Sequence, residues 1–178
     1  MFRKVYSIVL AITFLLSSMS GFVADAATPQ LIVHFIDVGQ GDSEFIQLPN
    51  GQTMLIDAGE ANQGQNVVAY IKSLGVDKLD YIVATHPHSD HIGGLPAVIN
   101  ALPIGKIYAP EFADDSLQYK AFSEALKSKK LSITTVKAPM LLVQTNNLNI
   151  GFVAPQSSHY TELNDWSIVT RVQYGANS

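Results

Sequence analysis

The chain has 178 residues, of which 47% are hydrophobic and 15% are charged, so its composition is that of a globular protein long enough to bury one core. It contains no cysteine, which excludes disulfides, thiolate metal sites and cysteine nucleophiles, so nitrogen and oxygen atoms would have to hold any metal. The formal net charge of −4 gives no strong nucleic-acid-binding signature, because a nucleic-acid backbone is normally met by clustered lysine and arginine.

Residues 1–26 are predicted to be a secretory signal peptide. Two basic residues precede the uncharged apolar run from Val5 to Leu16, and Ala24-Asp25-Ala26 fits a cleavage site. An uncleaved anchor is the alternative, because Val5 to Val23 carries no charge and is close to the length that spans a bilayer. Either way we expect a secreted or extracytoplasmic protein, membrane-tethered only if the signal is not cleaved. After cleavage, no stable membrane span is expected.

Residues 27–178 are predicted to form one domain, which begins with an antiparallel sheet. Leu31 to Val38 is rich in isoleucine, valine and phenylalanine, the composition of a strand. A hairpin follows, because Ser43 to Leu48 and Thr53 to Ile56 flank the turn residues Pro49-Asn50-Gly51.

A helix and another strand come next, and the order strand, helix, strand predicts a parallel crossover. Apolar residues recur at helical spacing, at Val67, Val68, Ile71 and Leu74. Gly75 is the predicted cap of this helix. Tyr81 to Ala84 is apolar without polar alternation, as expected for a strand covered on both faces. Open α/β sheets place their chemistry at the carboxyl ends of such strands.

The rest of the chain is predicted to contain two helices and five strands. Helices are expected over Leu95 to Leu102 and over the pattern from Leu117 to Leu126, whose acidic start and basic end suit the helix dipole. Strands are expected at Lys106 to Ala109, Ile133 to Val136, Leu141 to Val143, Ile150 to Val153 and Ser167 to Tyr174. The last strand runs into residues that normally turn a chain, so it lies at a sheet edge or the domain continues in a longer sequence.

The segment from Thr85 to Leu95 follows a predicted strand and holds four potential metal ligands: His86, His88, Asp90 and His91. Positions two apart share a side of an extended segment, so His86, His88 and Asp90 can point together while local turning swings His91 round. Imidazole and carboxylate suit zinc, manganese or iron. Four such ligands, together with partners later in the chain, would serve two divalent ions that assist hydrolysis. The alternative is that these histidines cap a turn or lie in a solvated loop.

These motifs resemble those of a known family. Thr-His-Pro-His-Ser-Asp-His-Ile-Gly-Gly at 85–94 is similar to the metal-binding signature of the metallo-β-lactamase-fold hydrolases. Leu55 to Gly59 is similar to their first motif, whose aspartate supports the site through hydrogen bonding. Residues 35–43 and 164–169 resemble the soluble hydrolase domain associated with bacterial competence-type DNA-uptake channel proteins. The resemblance runs from about Leu31 to the C-terminus.

The resemblance implies an α+β fold, an αββα sandwich with a binuclear site at one edge of its two sheets. By analogy, His86 and His88 would hold one divalent ion, while His91 and Asp90, which would also be catalytic, hold the other. Zinc is expected, with manganese or iron as alternatives. The family's bridging aspartate and final histidine follow the strand equivalent to Ser167 to Tyr174, so the chain is expected to hold only the N-terminal and middle portion of the domain.

Four further acidic residues are candidates for the site. Asp57 is expected to orient a ligand through a hydrogen bond rather than to bind metal. Asp165 could be a further metal ligand or a turn residue. Asp37 and Asp42 could border the substrate cleft, although loop geometry would also explain them.

The other candidates have more ordinary interpretations. His34 is expected to be structural and His159 to lie in an exposed loop. Gly93-Gly94 would let a helix start close against a metal or substrate. The family's third histidine has no clear equivalent, since Asn164 and Asp165 occupy its neighbourhood.

The hypothesis for function is an exported metal-dependent hydrolase that uses a metal-activated water on phosphodiester or other ester substrates, either small molecules or nucleic acid. One alternative is a non-catalytic extracellular binding module or an inactive fragment on the same scaffold. Another is a hydrolase of β-lactams or lactones.

Overall fold

The structure is a computed structural model, and it describes residues 29–111, 114–157 and 159–177. The predicted signal peptide, residues 1–26, lies outside the described residues. Within the described ranges, no helix is both long and apolar enough to cross a membrane.

The described strands form two sheets. The larger sheet has six strands in sequence order: β1 (Ile32–Phe35), β2 (Glu44–Gln47), β3 (Thr53–Ile56), β4 (Leu79–Val83), β5 (Ile104–Ala109) and β6 (Ile133–Thr135). The smaller sheet has three strands: β7 (Met140–Gln144), β8 (Leu148–Ala154) and β9 (Val169–Tyr174). The helices are α1 (Gly64–Ser73), α2 (Ser89–Ile92), α3 (Leu95–Ala101) and α4 (Leu117–Lys129), with a 3-10 turn at Leu163–Trp166.

The larger sheet changes from antiparallel to parallel at β3. Strands β1, β2 and β3 pair antiparallel, which confirms the predicted hairpin. Gly51 supplies the positive φ of 82° in its turn, and the Asn50 side chain accepts a hydrogen bond from the Gln52 backbone N–H at 3.0 Å. Strands β3 to β6 pair parallel, with α1 between β3 and β4, so the predicted crossover is also confirmed. The carboxyl ends of β3 and β4 therefore meet at one sheet edge.

The helices and the two sheets form layers, and a hydrophobic core lies between each pair of neighbouring layers. The first lies between one face of the larger sheet and the helices, and its fully buried members include Phe45, Leu55, Ile71, Ile99 and Phe122. The second lies between the two sheets and includes Ile46, Met54, Val83, Ile150 and Phe152. The described residues thus form the helix, sheet and sheet layers of the predicted αββα order.

The predicted elements occur in the predicted order, with small differences at their ends. The last strand begins at Val169 instead of Ser167, because the 3-10 turn Leu163–Trp166 precedes it. The Ser167 hydroxyl donates to the Asn164 carbonyl oxygen at 2.6 Å, which holds Ser167 against this turn. Leu74 was expected on the buried face of α1, but it follows the helix as its cap and is 37% exposed.

Candidate metal centre

The candidate site lies at the sheet edge where β3 and β4 end. Asp57 directly follows β3, and its backbone N–H donates to the Val83 carbonyl oxygen at 3.0 Å. The next N–H, of Ala58, donates to the carbonyl oxygen of His91 at 2.8 Å. Asp57 has a φ of 54°, a left-handed conformation that aspartate tolerates better than most residues. These backbone bonds connect the end of β3 to the segment that follows β4.

That segment is extended only as far as His88. His88 has φ −67° and ψ 147°, and it is the N-cap of α2, which begins at Ser89. The expectation that Asp90 would share a side with His86 and His88 in one extended segment was wrong. The chain has already turned into a helix at Asp90, so the alternation of a strand no longer applies there.

The three histidine rings lie together. His86 Nε2 and His88 Nδ1 are 3.1 Å apart, so one ring donates a hydrogen bond to the other. The His86 and His91 ring centroids are 4.1 Å apart. His86 is only 4% exposed, and burial, with the neighbouring histidines, lowers its pKa to about 4. His86 is therefore neutral at pH 7, the form of imidazole that binds metal.

Asp57 is fully buried beneath these rings. Its carboxylate accepts hydrogen bonds from the Thr85 backbone N–H at 2.8 Å, from the Thr85 hydroxyl, and from His91 Nδ1 at 2.8 Å. Burial raises the pKa of Asp57. Burial would lower the pKa of His91, but the hydrogen bond and charge of Asp57 raise it above its ordinary value. Asp57 lies where the predicted orienting role requires, since a carboxylate on Nδ1 fixes the ring and leaves Nε2 for a ligand role.

The donor atoms suit a divalent metal ion. One nitrogen or oxygen atom each from Asp57, His86 and His91 lies within 4.8 Å of the other two. Two nitrogens bound to a tetrahedral zinc are roughly 3.3 Å apart, given zinc–nitrogen distances of about 2.0–2.1 Å. The 3.1 Å separation between His86 Nε2 and His88 Nδ1 is close to this value. The residues present therefore fit a metal held by imidazole nitrogens, with the Asp57 carboxylate beneath them orienting His91.

A glycine-containing loop, residues 37–43, brings further polar groups to the site. The Asp90 carboxylate accepts a hydrogen bond from Gln40 Nε2 at 3.3 Å, and Asp42 Oδ2 lies 3.7 Å from His91 Nδ1. Asp42 thus lies at the candidate site. Asp37 is exposed, and its Oδ1 accepts the Gly39 N–H at 3.0 Å, so its described contact stabilises the loop itself.

The 3-10 turn brings Asn164 to the site rather than Asp165. The Asn164 side chain lies close enough to His86 to raise the pKa of its imidazole, against the larger effect of burial. The Ile168 backbone N–H donates to the Thr85 carbonyl oxygen at 3.1 Å, which holds the turn against the histidine segment. Asp165 is exposed, and its backbone N–H donates to the Glu162 carbonyl oxygen at 3.1 Å, as in a turn residue.

Glu44 is a site residue that the sequence reasoning missed. It begins β2 and is half-buried, and burial together with the charges of Asp42 and Asp57 raises its pKa to about 7. The signal was present in the alternation of β2, since Glu44 shares a strand face with Ile46, which is buried between the sheets. An ionisable residue at an inward-facing strand position indicates a functional or strained environment.

The Glu44→Gln substitution is expected to flatten part of the pH dependence of the metal-free protein's stability. The ordinary pKa is 4.5 and the folded-state pKa is about 7, so the folded protein binds more protons between these values. This contribution to stability is full below the ordinary pKa and is lost as the pH rises through the folded-state pKa. Urea unfolding midpoints at about pH 5 and about pH 8 check it. If the unfolding midpoint decreases equally in the wild type and in Glu44→Gln between these two pH values, the prediction is contradicted.

Three other predictions can be compared with the structure. His159 is exposed in a loop, as expected. His34 is structural, with Nδ1 3.0 Å from the Tyr70 hydroxyl. Gly93-Gly94 lets a helix start lie close to another part of the backbone, and its predicted approach to a metal or substrate stays a prediction. A Cβ on Gly94 would lie 2.1 Å from the Ala58 carbonyl oxygen, so these glycines let the helix start pack against the backbone that follows β3.

The chain is similar in sequence to known proteins. ComE operon protein 3 of Bacillus subtilis (strain 168) is 25% identical over 164 residues, covering 82% of this chain and 21% of that protein. Competence protein ComA of Neisseria gonorrhoeae is 38% identical over 101 residues, which cover 53% of this chain and 14% of that protein. Ribonuclease Z of Bacillus cereus (strain B4264) is 35% identical over 119 residues, which cover 63% of this chain and 34% of that protein. The chain thus spans between 14% and 34% of the length of these relatives.

A solved structure supports the fold. Rm3 metallo-beta-lactamase aligns with a TM-score of 0.55 at 16% identity, covering 81% of this chain and 54% of that one. Residues 36–161 match the family model described as the metallo-beta-lactamase superfamily. The predicted fold and the resemblance to competence proteins are confirmed. The chain belongs to the metallo-beta-lactamase superfamily.

Proposed function

We propose that this chain is an exported metal-dependent hydrolase that uses a metal-activated water on phosphodiester or other ester substrates. The observation that carries the proposal is the cluster of His86, His88 and His91 over the buried carboxylate of Asp57. Buried ionisable groups gathered at the carboxyl ends of strands are a strong indication of a functional site. Export rests on the predicted signal peptide, residues 1–26.

In this proposal the side chains divide into two ligand pairs. His86 and His88 hold one divalent ion through the facing nitrogens, and His91 and Asp90 hold a second. Asp57 orients His91 through the Nδ1 hydrogen bond. Asp165 is left out of the ligand set, because Asn164 is the residue of this turn that lies close to His86. Divalent ions in such a site lower the pKa of a water molecule and neutralise negative charge that develops on the substrate.

A phosphodiester substrate is supported by the similarity to Ribonuclease Z, which is 35% identical over 119 residues. The net charge of −4 provides no general attraction for a long nucleic acid. We therefore favour recognition of the phosphodiester at the metal site itself, in a small molecule or a short single strand.

The test is to purify the full chain, measure bound metal, and compare hydrolysis of a chromogenic phosphodiester, single-stranded DNA and a chromogenic β-lactam. We expect phosphodiester hydrolysis that a chelator abolishes and zinc or manganese restores. Asp90→Asn should lower this activity, and His159→Ala, which changes an exposed histidine outside the site, should not.

Three results would contradict the proposal. Activity that survives chelation would exclude the metal mechanism. Preferential hydrolysis of the β-lactam would assign a different substrate class. Stoichiometric metal binding without turnover of any substrate would support the non-catalytic binding module instead.

A further inference from the structure

We propose that Gln40 is a positioning residue for Asp90, and that the loop of residues 37–43 sets the geometry of the half-site formed by Asp90 and His91. This inference rests on the proposed function, because it requires Asp90 to be a metal ligand. It adds a role for a loop outside the histidine motif and for a side chain with no metal-binding chemistry of its own.

The loop contacts Asp90 at both its side chain and its backbone. Gln40 Nε2 donates to Asp90 Oδ2 at 3.3 Å, and the Asp42 backbone N–H donates to the Asp90 carbonyl oxygen at 3.3 Å. Gly41 lies between these two residues with a φ of 97°, and a Cβ there would come within 1.8 Å of the Asp90 carbonyl oxygen. Only glycine permits this close approach, so the loop is pressed directly against the Asp90 backbone.

The loop of residues 37–43 is itself held in place, so it can fix the position of Asp90. The Ile36 backbone N–H donates to the Ser43 carbonyl oxygen at 2.9 Å and closes the loop. The Gly59 backbone N–H donates to the Asp42 carbonyl oxygen at 3.0 Å, and the buried Ser43 hydroxyl donates to the Asp57 carbonyl oxygen at 3.3 Å. The end of β3 therefore anchors both the loop that contacts Asp90 and the carboxylate that orients His91.

The side-chain amide of Gln40 is well suited to hold the Asp90 carboxylate. A neutral N–H donor holds one oxygen of the Asp90 carboxylate without adding a positive charge that would compete with a metal ion. Among the described residues, no side chain other than Gln40 donates a hydrogen bond to this carboxylate, so a metal ion would compete with no second side-chain donor. Hydrogen bonds to ligating carboxylates fix their orientation, and losing such a partner typically weakens metal binding by about 10–100-fold.

The test compares Gln40→Ala with Gln52→Ala in the full chain. Gln52 is the control away from the site, where its Nε2 donates to the Tyr81 hydroxyl at 2.8 Å and its Oε1 accepts from Asn50 Nδ2 at 2.7 Å. Metal-free protein is titrated with cobalt(II) by calorimetry and visible absorption. We expect Gln40→Ala to keep the first equivalent at wild-type affinity and to bind the second about 10–100-fold more weakly. Gln52→Ala should bind both equivalents like wild type.

Two further variants separate this inference from the proposed function. If Asp90→Ala binds both equivalents like wild type, the ligand assignment fails. If Asp90→Ala loses the second equivalent but Gln40→Ala does not, only the positioning role fails. Gln40→Ala should add no further loss in the Asp90→Ala background, because its effect passes through Asp90, and an additive loss would overturn the inference. Equal weakening of both equivalents would also overturn it.

Discussion

His86→Ala is expected to lower metal-dependent hydrolysis by at least about 100-fold, since losing even a residue that supports a ligand costs about 10–100-fold. His86 contacts both of the other histidines and Thr85. Its Nε2 faces His88 Nδ1 at 3.1 Å, its Nδ1 is 2.9 Å from the Thr85 hydroxyl, and its ring lies 4.1 Å from that of His91. Alanine removes a nitrogen of the proposed ligand set and leaves a buried space beside His88 and His91. Rates with a chromogenic phosphodiester at saturating zinc, together with metal content, measure the effect.

His34→Ala is the control for the loss of a partly buried histidine. His34 bonds Tyr70 and Gln47 through its two ring nitrogens, at 3.0 and 3.2 Å, and has no part in the proposed ligand set. The His34→Ala protein should keep wild-type metal content even if its unfolding midpoint decreases. A His86→Ala protein that keeps both its metal and its rate would show that the metal is bound elsewhere.

The fold was largely predictable because its signals are local. The hairpin needs only alternating strands around Pro49-Asn50-Gly51, and α1 needs only apolar residues at helical spacing. The parallel crossover follows from the order of elements and the length of the connection. The order of strands within the sheets depends on packing between distant segments, and the sequence patterns carried no direct signal for it.

The site was predictable to the extent that its residues are close in sequence. His86, His88 and His91 lie within one short segment, and their spacing identified them. The contacts of Gln40 with Asp90, and of Asn164 with His86, join residues far apart in the chain. Such contacts depend on how loops pack after folding, which neither spacing nor periodicity encodes.

The directions of the side chains within the histidine segment could not be predicted from residue spacing either. Strand alternation was expected to continue as far as Asp90, but α2 begins at Ser89. A four-residue helix has too few positions to show a helical hydrophobic period, so its start could not be distinguished from the loop. As a result, Asp90 faces Gln40 while His91 turns towards Asp57.

Asp57→Ala is expected to lower the free energy of unfolding of the metal-free protein by about 3–5 kcal/mol, the cost of removing one partner from a buried charged pair. Asp57 is fully buried and accepts hydrogen bonds from the Thr85 N–H, the Thr85 hydroxyl and His91 Nδ1. Alanine would leave these donors without their acceptor and would adopt a φ of 54° less readily than aspartate. Urea unfolding with a chelator present measures the loss separately from metal binding.

Two variants decide whether the loss comes from the buried hydrogen bonds. Asp57→Asn keeps the side-chain size and tolerates the left-handed backbone, but one of its two terminal groups is a donor, so we expect a smaller loss of about 1–3 kcal/mol. Asp80→Ala is the control away from the site, because Asp80 Oδ2 accepts the Thr53 backbone N–H at 2.9 Å but its side chain remains 19% exposed. Water can replace that acceptor, so its loss should be about 1 kcal/mol. If Asp57→Ala costs no more than Asp80→Ala, the donors around Asp57 have other acceptors, and the orienting role of Asp57 on His91 loses its structural basis.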